Sequence, residues 1–391
     1  MRSHKLLMIP GPIEFDPQVL AALGAATTSH MDAGFIEAFG SSLEMMREVF
    51  MAPHGQPFIL AGSGTLGMDA VAANLVESGD PVLLINTGFF SERFGEILTR
   101  YGAELTQIKS PIGSRPSLEE VQEALRKKRY KLLVVTHVDT STGVITDVRN
   151  LANLAQKYGA MSVVDGVCSV GAEELRMEEW GVDVALTASQ KAIGVPPGLA
   201  LWMVGQRALE WFKQRKSAVL NYYSDWNNWL PVMLSHEERK PNYFCTPAVN
   251  LVWALQVSLK QILAEGMEAR FQRHQKLSQV FKAAIQAWEL DQIPLSEEYA
   301  AHTLTAVRYP AGVQGTDLIK AVAQQGIVIS GGLHPEIKSQ YFRVGHMGVT
   351  TFGDIMATVS AIEQGLVACG YPLQVGIGLT AAQRQMATDP K

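Results

Sequence analysis

Alternation constrains this chain more than any other feature of its sequence. Short apolar runs at 58–61, 82–86, 132–137, 162–165 and 184–188 are separated by longer stretches of helix-compatible composition. Strands that alternate with helices pair side by side in parallel, because each helix carries the chain back across the sheet before the next strand begins. The intervening stretches 66–77 and 118–128 have helical composition, and Gly79-Asp80-Pro81 stops the first of them. The run 199–204 follows the turn Pro196-Pro197-Gly198 too closely for a helical crossover, which predicts an antiparallel strand in the same sheet.

A chain of 391 residues with 47% apolar content exceeds what one hydrophobic core usually organises, so two domains are expected. The reading divides it into an N-terminal segment 1–20, a large domain 21–250, a linking helix 251–288 and a small domain 289–377. The small domain reads as α+β, with strands at 303–309, 327–330 and 341–344 and helices at 316–325 and 352–367. The remainder, 378–391, is small and polar without a periodic apolar face, and reads as a frayed tail.

The net charge of −5 arises from scattered acidic and basic residues with no long basic run, which argues against nucleic-acid binding. No apolar run is long enough to span a bilayer, and residues 1–8 are too few for a signal peptide. Cys168, Cys245 and Cys369 lie far apart without metal-ligand spacing, so neither a zinc site nor a disulfide framework is expected. A cytoplasmic protein without a metal is the simplest reading.

In open α/β sheets ligands bind beyond the carboxyl ends of the strands, so the residues just past each run are the first candidates. After the first run, Ala61-Gly62-Ser63-Gly64-Thr65-Leu66-Gly67 turns into a helix whose free amides suit a phosphate, although a tight strand-to-helix turn needs the same residues. Asp165 closes the run 162–165 and, if buried, requires a cation or strong donors; a helix cap or a structural ion pair would serve equally. Lys191, in Ser189-Gln190-Lys191-Ala192-Ile193-Gly194, sits among small and apolar residues, where desolvation would lower its pKa and free a nucleophile. Arg343 is the lone charge in Tyr341-Phe342-Arg343-Val344-Gly345-His346-Met347-Gly348 and could grip a carboxylate with both prongs of its guanidinium. Together the four ask for a ligand with a phosphate, a ring nitrogen and an aldehyde, and for a substrate with a carboxylate.

With these residues in place, the sequence resembles the class V aminotransferases of pyridoxal-phosphate fold type I, and within them the alanine–glyoxylate and serine–glyoxylate group. The resemblance runs from Pro10-Gly11-Pro12 to Phe342-Arg343-Val344-Gly345-His346-Met347-Gly348, and is carried most specifically by Ser63-Gly64-Thr65, His137-Val138-Asp139-Thr140-Ser141-Thr142-Gly143, Val164-Asp165-Gly166-Val167 and Ser189-Gln190-Lys191-Ala192. It implies a mainly parallel seven-stranded sheet in the large domain and a smaller α+β C-terminal domain. It implies pyridoxal 5'-phosphate as cofactor, with Lys191 forming the Schiff base, Asp165 pairing with the ring nitrogen, and Ser63, Gly64, Thr65 and Gln190 at the phosphate. Thr140 would lie near the ring hydroxyl, Val167 on one ring face, and Phe90 on the other, where relatives often carry tryptophan. Arg343 and Gly11 would border the substrate. Tyr243 and Thr246 match residues that reach the phosphate across a homodimer interface, so the active site would be shared between two chains.

The activity so implied is ping-pong transfer of an amino group between a small amino acid, such as alanine or serine, and a 2-oxo acid such as glyoxylate. Relatives that act on 2-aminoethylphosphonate or 3-hydroxykynurenine share the frame and stay open as alternatives. A cysteine desulfurase is disfavoured because Gln190, not histidine, precedes Lys191. A non-catalytic subunit is disfavoured because Lys191, Asp165 and Arg343 are all present.

Overall fold

The computed structural model describes residues 4–387. Seven strands form the central sheet: β1 Gln56–Gly62, β2 Pro81–Asn86, β3 Glu104–Lys109, β4 Leu132–Thr136, β5 Met161–Asp165, β6 Val184–Ala188 and β7 Gly198–Val204. Their order is β1-β7-β6-β5-β4-β2-β3. All neighbours are parallel except β7, which runs antiparallel to both β1 and β6 as its short approach requires. Every residue of β4, β5 and β6 is buried, which is why these strands read as continuous apolar runs. Across β1 and β7, Phe58 faces Trp202 in register and their rings stack at 5.6 Å between centroids.

Strand β3 is the one that the apolar pattern missed. It lies at the sheet edge with Glu104 and Lys109 exposed at its two ends, so it lacks the continuous apolar character of the central strands. Helices Gly64–Leu75, Phe89–Arg100, Leu118–Lys127 and Val148–Lys157 connect the strands. The third begins with a capping box in which Ser117 Oγ accepts from Glu120 N and the Glu120 carboxylate accepts from Ser117 N.

The linking segment is two helices rather than one. Val249–Glu265 ends at Gly266, whose φ of +83° lies in the left-handed region, and Met267–Ala287 begins as a separate helix. Beyond it the small domain pairs β8 Leu304–Arg308, β9 Ser330–Gly331 and β10 Tyr341–Gly345 in the antiparallel order β8-β10-β9. Its core gathers Leu277, Phe281, Val307, Leu318, Phe342 and Ile355, and takes in Leu6 and Met8 from the N-terminal segment. Leu6–Leu7 pairs in parallel with Ile327–Val328, after which the chain crosses to the large domain, where Ile13 N donates to Gln190 O at 3.3 Å.

The expected frayed tail is instead a helix, Ile377–Ala387, packed on Met267–Ala287; residues 388–391 of that tail lie outside the described ones. The holding contact is a buried carboxylate. Glu363 accepts from Trp288 Nε1 at 2.9 Å, from Gly378 N at 2.7 Å and from Gly376 N, so it satisfies the first amides of the helix. Small residues permit this close docking: a Cβ on Gly378 would come 2.5 Å from the Trp288 ring at Cε2.

Candidate active site

The chain places its chemistry where β1, β4, β5 and β6 end. Asp165 is the last residue of β5, in register with Thr136 of β4 and Leu186 of β6, and it is 2% exposed. Its Oδ1 accepts from Val167 N at 3.0 Å, and no ion pair to it occurs among the described residues. Burial pushes its pKa up to about 7, with the Asp139 charge adding to the rise and the Val167 bond and Lys191 opposing it. A carboxyl so placed is built for a cationic donor that the polypeptide does not itself supply.

Lys191 follows β6 on a loop that is tightly tied down. Ser189 Oγ donates to Pro196 O at 2.8 Å and accepts from Leu199 N at 3.1 Å, while Val195 N donates to Ser189 O at 2.9 Å. The Lys191 side chain is buried, and its Nζ donates to the Pro10 carbonyl. Desolvation holds its pKa below the ordinary lysine value, and the Arg343 charge acts in the same direction. Gly11 makes room for it: at φ +120° a Cβ there would lie 2.7 Å from Lys191 Cδ and 2.9 Å from Nζ.

Ser63 caps the helix Gly64–Leu75 in extended backbone, and its hydroxyl makes no cap bond. Gly64 backs onto Val167, whose Cγ2 would meet a Cβ at 2.7 Å. Thr65 Oγ1 accepts from Arg93 Nη1 at 3.2 Å, and the Arg93 guanidinium also lies 5.0 Å from the Phe90 ring centroid. Gln190 Oε1 and Thr187 Oγ1 are buried without a hydrogen-bond partner among the described residues. A helix N-terminus with an unbonded Ser63 hydroxyl, the unspent Gln190 oxygen next to Lys191 in the chain, a buried acid and a buried amine together fit a ligand carrying a phosphate, a protonated ring nitrogen and a carbonyl carbon.

Arg343 lies in the middle of β10 and reaches across to the large domain. Its Nε donates to Gly331 O at 2.9 Å and its Nη1 to the Thr140 carbonyl at 3.1 Å, which leaves Nη2 without a bond among the described residues. The structure therefore brings together Gly11, Ser63, Gly64, Thr65, Thr140, Asp165, Val167, Gln190, Lys191 and Arg343, with Phe90 beside Thr65 through Arg93. It leaves two expected residues apart. Tyr243 is 57% exposed, with its ring 5.2 Å from that of His30, and Thr246 is exposed as well.

Sequence reasoning missed two supporting residues. Asp139, fully buried, accepts from Ser141 N at 2.9 Å, Ser141 Oγ at 2.6 Å and Phe90 N at 3.1 Å, and so anchors the helix that carries Phe90. Its Asp-x-Ser spacing signals a local turn, but the reach to Phe90 has no sequence mark. The Tyr341 hydroxyl accepts from Leu333 N and His334 N, each at 2.9 Å, and donates to the Ser141 carbonyl, tying the small domain to the same loop. Cys168, buried as its small apolar character implied, has its Sγ 3.8 Å from Thr303 Oγ1.

Comparison with known proteins accords with this geometry. The aminotransferase class-V family model matches residues 18–351. Alanine–glyoxylate aminotransferase 1 of Saccharomyces cerevisiae is 40% identical over 89% of this chain and 93% of its own. The small subunit of a soluble hydrogenase of Synechococcus is 34% identical over 99% of this chain and 100% of its own. The crystal structure of ureidoglycine–glyoxylate aminotransferase of Bacillus subtilis superposes with a TM-score of 0.92 at 26% identity, covering 99% of each chain. No helix among the described residues is long and apolar enough to cross a membrane.

Proposed function

Because this chain belongs to the class V aminotransferase family, we propose that it transfers an amino group from a small amino acid, alanine before serine, to glyoxylate, using pyridoxal 5'-phosphate bound at the strand ends. The observation that carries the reading is the buried pair of Asp165 and Lys191, each held in place by backbone contacts and neither neutralised by an ion pair. Glyoxylate is favoured as acceptor because it recurs in the names of relatives whose amino donors differ.

In this reading Ser63, Gly64, Thr65 and Gln190 hold the phosphate, Thr140 meets the ring hydroxyl, and Val167 and Phe90 cover the two ring faces. When bound, the cofactor supplies an aldehyde that condenses with amines and a ring that accepts electrons from the substrate α-carbon. Asp165 holds a proton at the ring nitrogen. Lys191, whose burial disfavours the ammonium form, would take the substrate α-proton at Nζ and hold it for return. Arg343 fixes the substrate carboxylate beside Gly11.

Exposure of Tyr243 and Thr246 on the single chain supports their reaching the phosphate of a second copy, as do the exposed Leu220 and Tyr222 nearby in sequence, at 82% and 76%. Cytoplasmic residence belongs to the same proposal and is supported by three free thiols. The hydrogenase-subunit relative raises a non-catalytic role as the second reading. Half-reactions decide: mixing the holoenzyme with alanine, serine or aspartate should change the cofactor's absorbance, and glyoxylate should restore it. Absence of any spectral response to all three donors would overturn the proposal in favour of the scaffold.

A further inference from the structure

Lys191 and Arg343 belong to different domains, and the break at Gly266 sits between them. On either side of it stand three charged side chains in one network. Glu265 Oε1 accepts from Arg273 Nε at 2.6 Å, and its Oε2 accepts from Arg273 Nη2 at 3.1 Å and from Arg270 Nη1 at 2.8 Å. Burial works against the charge on Glu265, but the two guanidiniums hold its pKa below the usual carboxylate value.

Each arginine spends its other donors on a different domain. Arg270, 6% exposed, donates Nη2 to the Ala192 carbonyl at 2.7 Å and Nε to the Gly171 carbonyl at 2.6 Å, both in the large domain. Arg273 donates Nη2 to the Gly348 carbonyl at 2.9 Å and Nη1 to the Thr350 carbonyl at 3.2 Å, in the loop that leaves β10. Ala192 adjoins Lys191, and Gly348 follows Arg343 on the same short segment. Two further bonds run along the same path. Ser258 Oγ donates to Ile193 O, and His274 Nε2 accepts from Gly348 N at 3.0 Å. The network lines a cleft of about 520 Å³ and runs beside an apolar cluster in which Cys168, Ala172 and Ala192 pack against Leu304 and Met347.

We propose that Glu265, Arg270 and Arg273 are positioning residues that set the placement of the Lys191 loop relative to the Arg343 segment. One carboxylate holding two planar forks, each fixed to backbone carbonyls of one domain, transmits a displacement of either loop to the other. Two independent loop anchors would not share an acceptor. The functional weight of this tie rests on the roles proposed above for Lys191 and Arg343; the tie itself does not.

The test is hydrogen exchange on the holoenzyme, comparing the parent with Arg273→Gln. The amides of Gly194 and Val195, bonded to Lys191 O and Ser189 O, report on the lysine loop, and that of Gly348 reports on the other. The variant should speed exchange about three- to tenfold at Gly348 and also at Gly194 and Val195, across the domain boundary. It should lower kcat/KM for alanine and glyoxylate by a similar factor with cofactor content unchanged. Faster exchange confined to 346–351 overturns the proposal, and so does coupled exchange with unchanged kcat/KM. If Arg273→Gln does not fold, Arg273→Lys keeps the charge beside Glu265 but loses the fork, and the same criteria apply. Should the roles of Lys191 or Arg343 be wrong, alanine would fail to alter the cofactor spectrum of the parent enzyme while the exchange pattern would still follow the network.

Discussion

The two ends of strand β5 treat a buried aspartate in opposite ways. At its start, Asp183 accepts from Ser162 N at 2.7 Å, from Ser162 Oγ at 3.1 Å and from Arg207 Nε at 2.6 Å, and Arg207 also caps the Ala160 carbonyl at 2.8 Å. At its end, Asp165 has one backbone donor and no cation among the described residues. Both carboxyls are buried in the same sheet, so the difference is not one of depth. The paired aspartate stabilises the fold, and the unpaired one stores a demand that a ligand can meet. Substitutions should therefore separate stability from activity at the two edges of the same sheet.

The largest effect is expected at the activity end. Lys191→Ala should lower transamination by roughly 10⁴-fold, the upper range for a general base that is also the nucleophile. Its thermal midpoint should equal or exceed the parent's, since a buried amine without a counter-charge is removed. Single-turnover spectroscopy with alanine and a melting curve of the apoprotein measure both, and a lower midpoint would make Lys191 a structural group.

A sharper contrast pairs the two aspartates. Asp165→Asn should slow exchange of the substrate α-hydrogen by about 10²- to 10³-fold, as when a group that stabilises transition-state charge is lost, and leave apoprotein stability at pH 7 unchanged or raised. Asp183→Asn should do the reverse. It strips a partly buried guanidinium of its partner and should cost about 2 kcal/mol, discounted from the fully buried case because a third of the Arg207 side chain is exposed, with kcat intact. Urea unfolding and deuterium exchange on both variants would break the comparison if the two profiles matched.

Arg343→Lys keeps a charge but not the fork. Alanine binding should weaken by roughly 1.5–3 kcal/mol, while binding of an amine without a carboxylate stays unchanged. Equal weakening of both compounds in spectral titrations would remove Arg343 from carboxylate recognition.

The smallest effect is one of pH. Because the folded apoprotein raises the pKa of Asp165 from 3.8 to about 7, folding takes up a proton there. That contribution is complete below the unfolded pKa and is lost as pH rises through the folded one, so apoprotein stability should decline between about pH 4 and 7 relative to Asp165→Asn. Glu173 and His302, joined at 2.8 Å across the domains, behave otherwise. The carboxyl is held low and the imidazole raised, so their latch weakens on acidification through the Glu173 pKa and on alkalinisation through that of His302. Identical pH profiles for the parent apoprotein and Asp165→Asn would show that Asp165 is already ionised.

Much of the site was legible because its signals are local. Ser63-Gly64-Thr65 turns a strand into a helix within a few residues, Asp165 ends a fully apolar run, and Arg343 is the lone charge of a buried strand. What escaped notice depends on partners far along the chain. Strand β3 looks polar because its exposed ends face solvent at the sheet edge, and the helix Ile377–Ala387 is held at its first turn by hydrogen bonds to the distant Glu363, itself bonded by Trp288, which no local pattern marks.

Sequence alone determined which residues could carry charge into the interior and which turns would present them: the apolar runs, the glycines at 11 and 64, and the isolated Asp165, Lys191 and Arg343. Only the tertiary structure decided which of those charges would be paired. Glu265 meets Arg270 and Arg273 because the chain breaks at Gly266, and Asp183 meets Arg207 because β7 returns antiparallel beside β6. Among the described residues Asp165 and Lys191 are left without ion-pair partners because the strands that bury them end together, with backbone rather than counter-charges bonded to them. The physical reason is range: a turn or an apolar run is set by contacts between near neighbours, whereas pairing a buried charge needs atoms within about 4 Å that can come from anywhere in the chain.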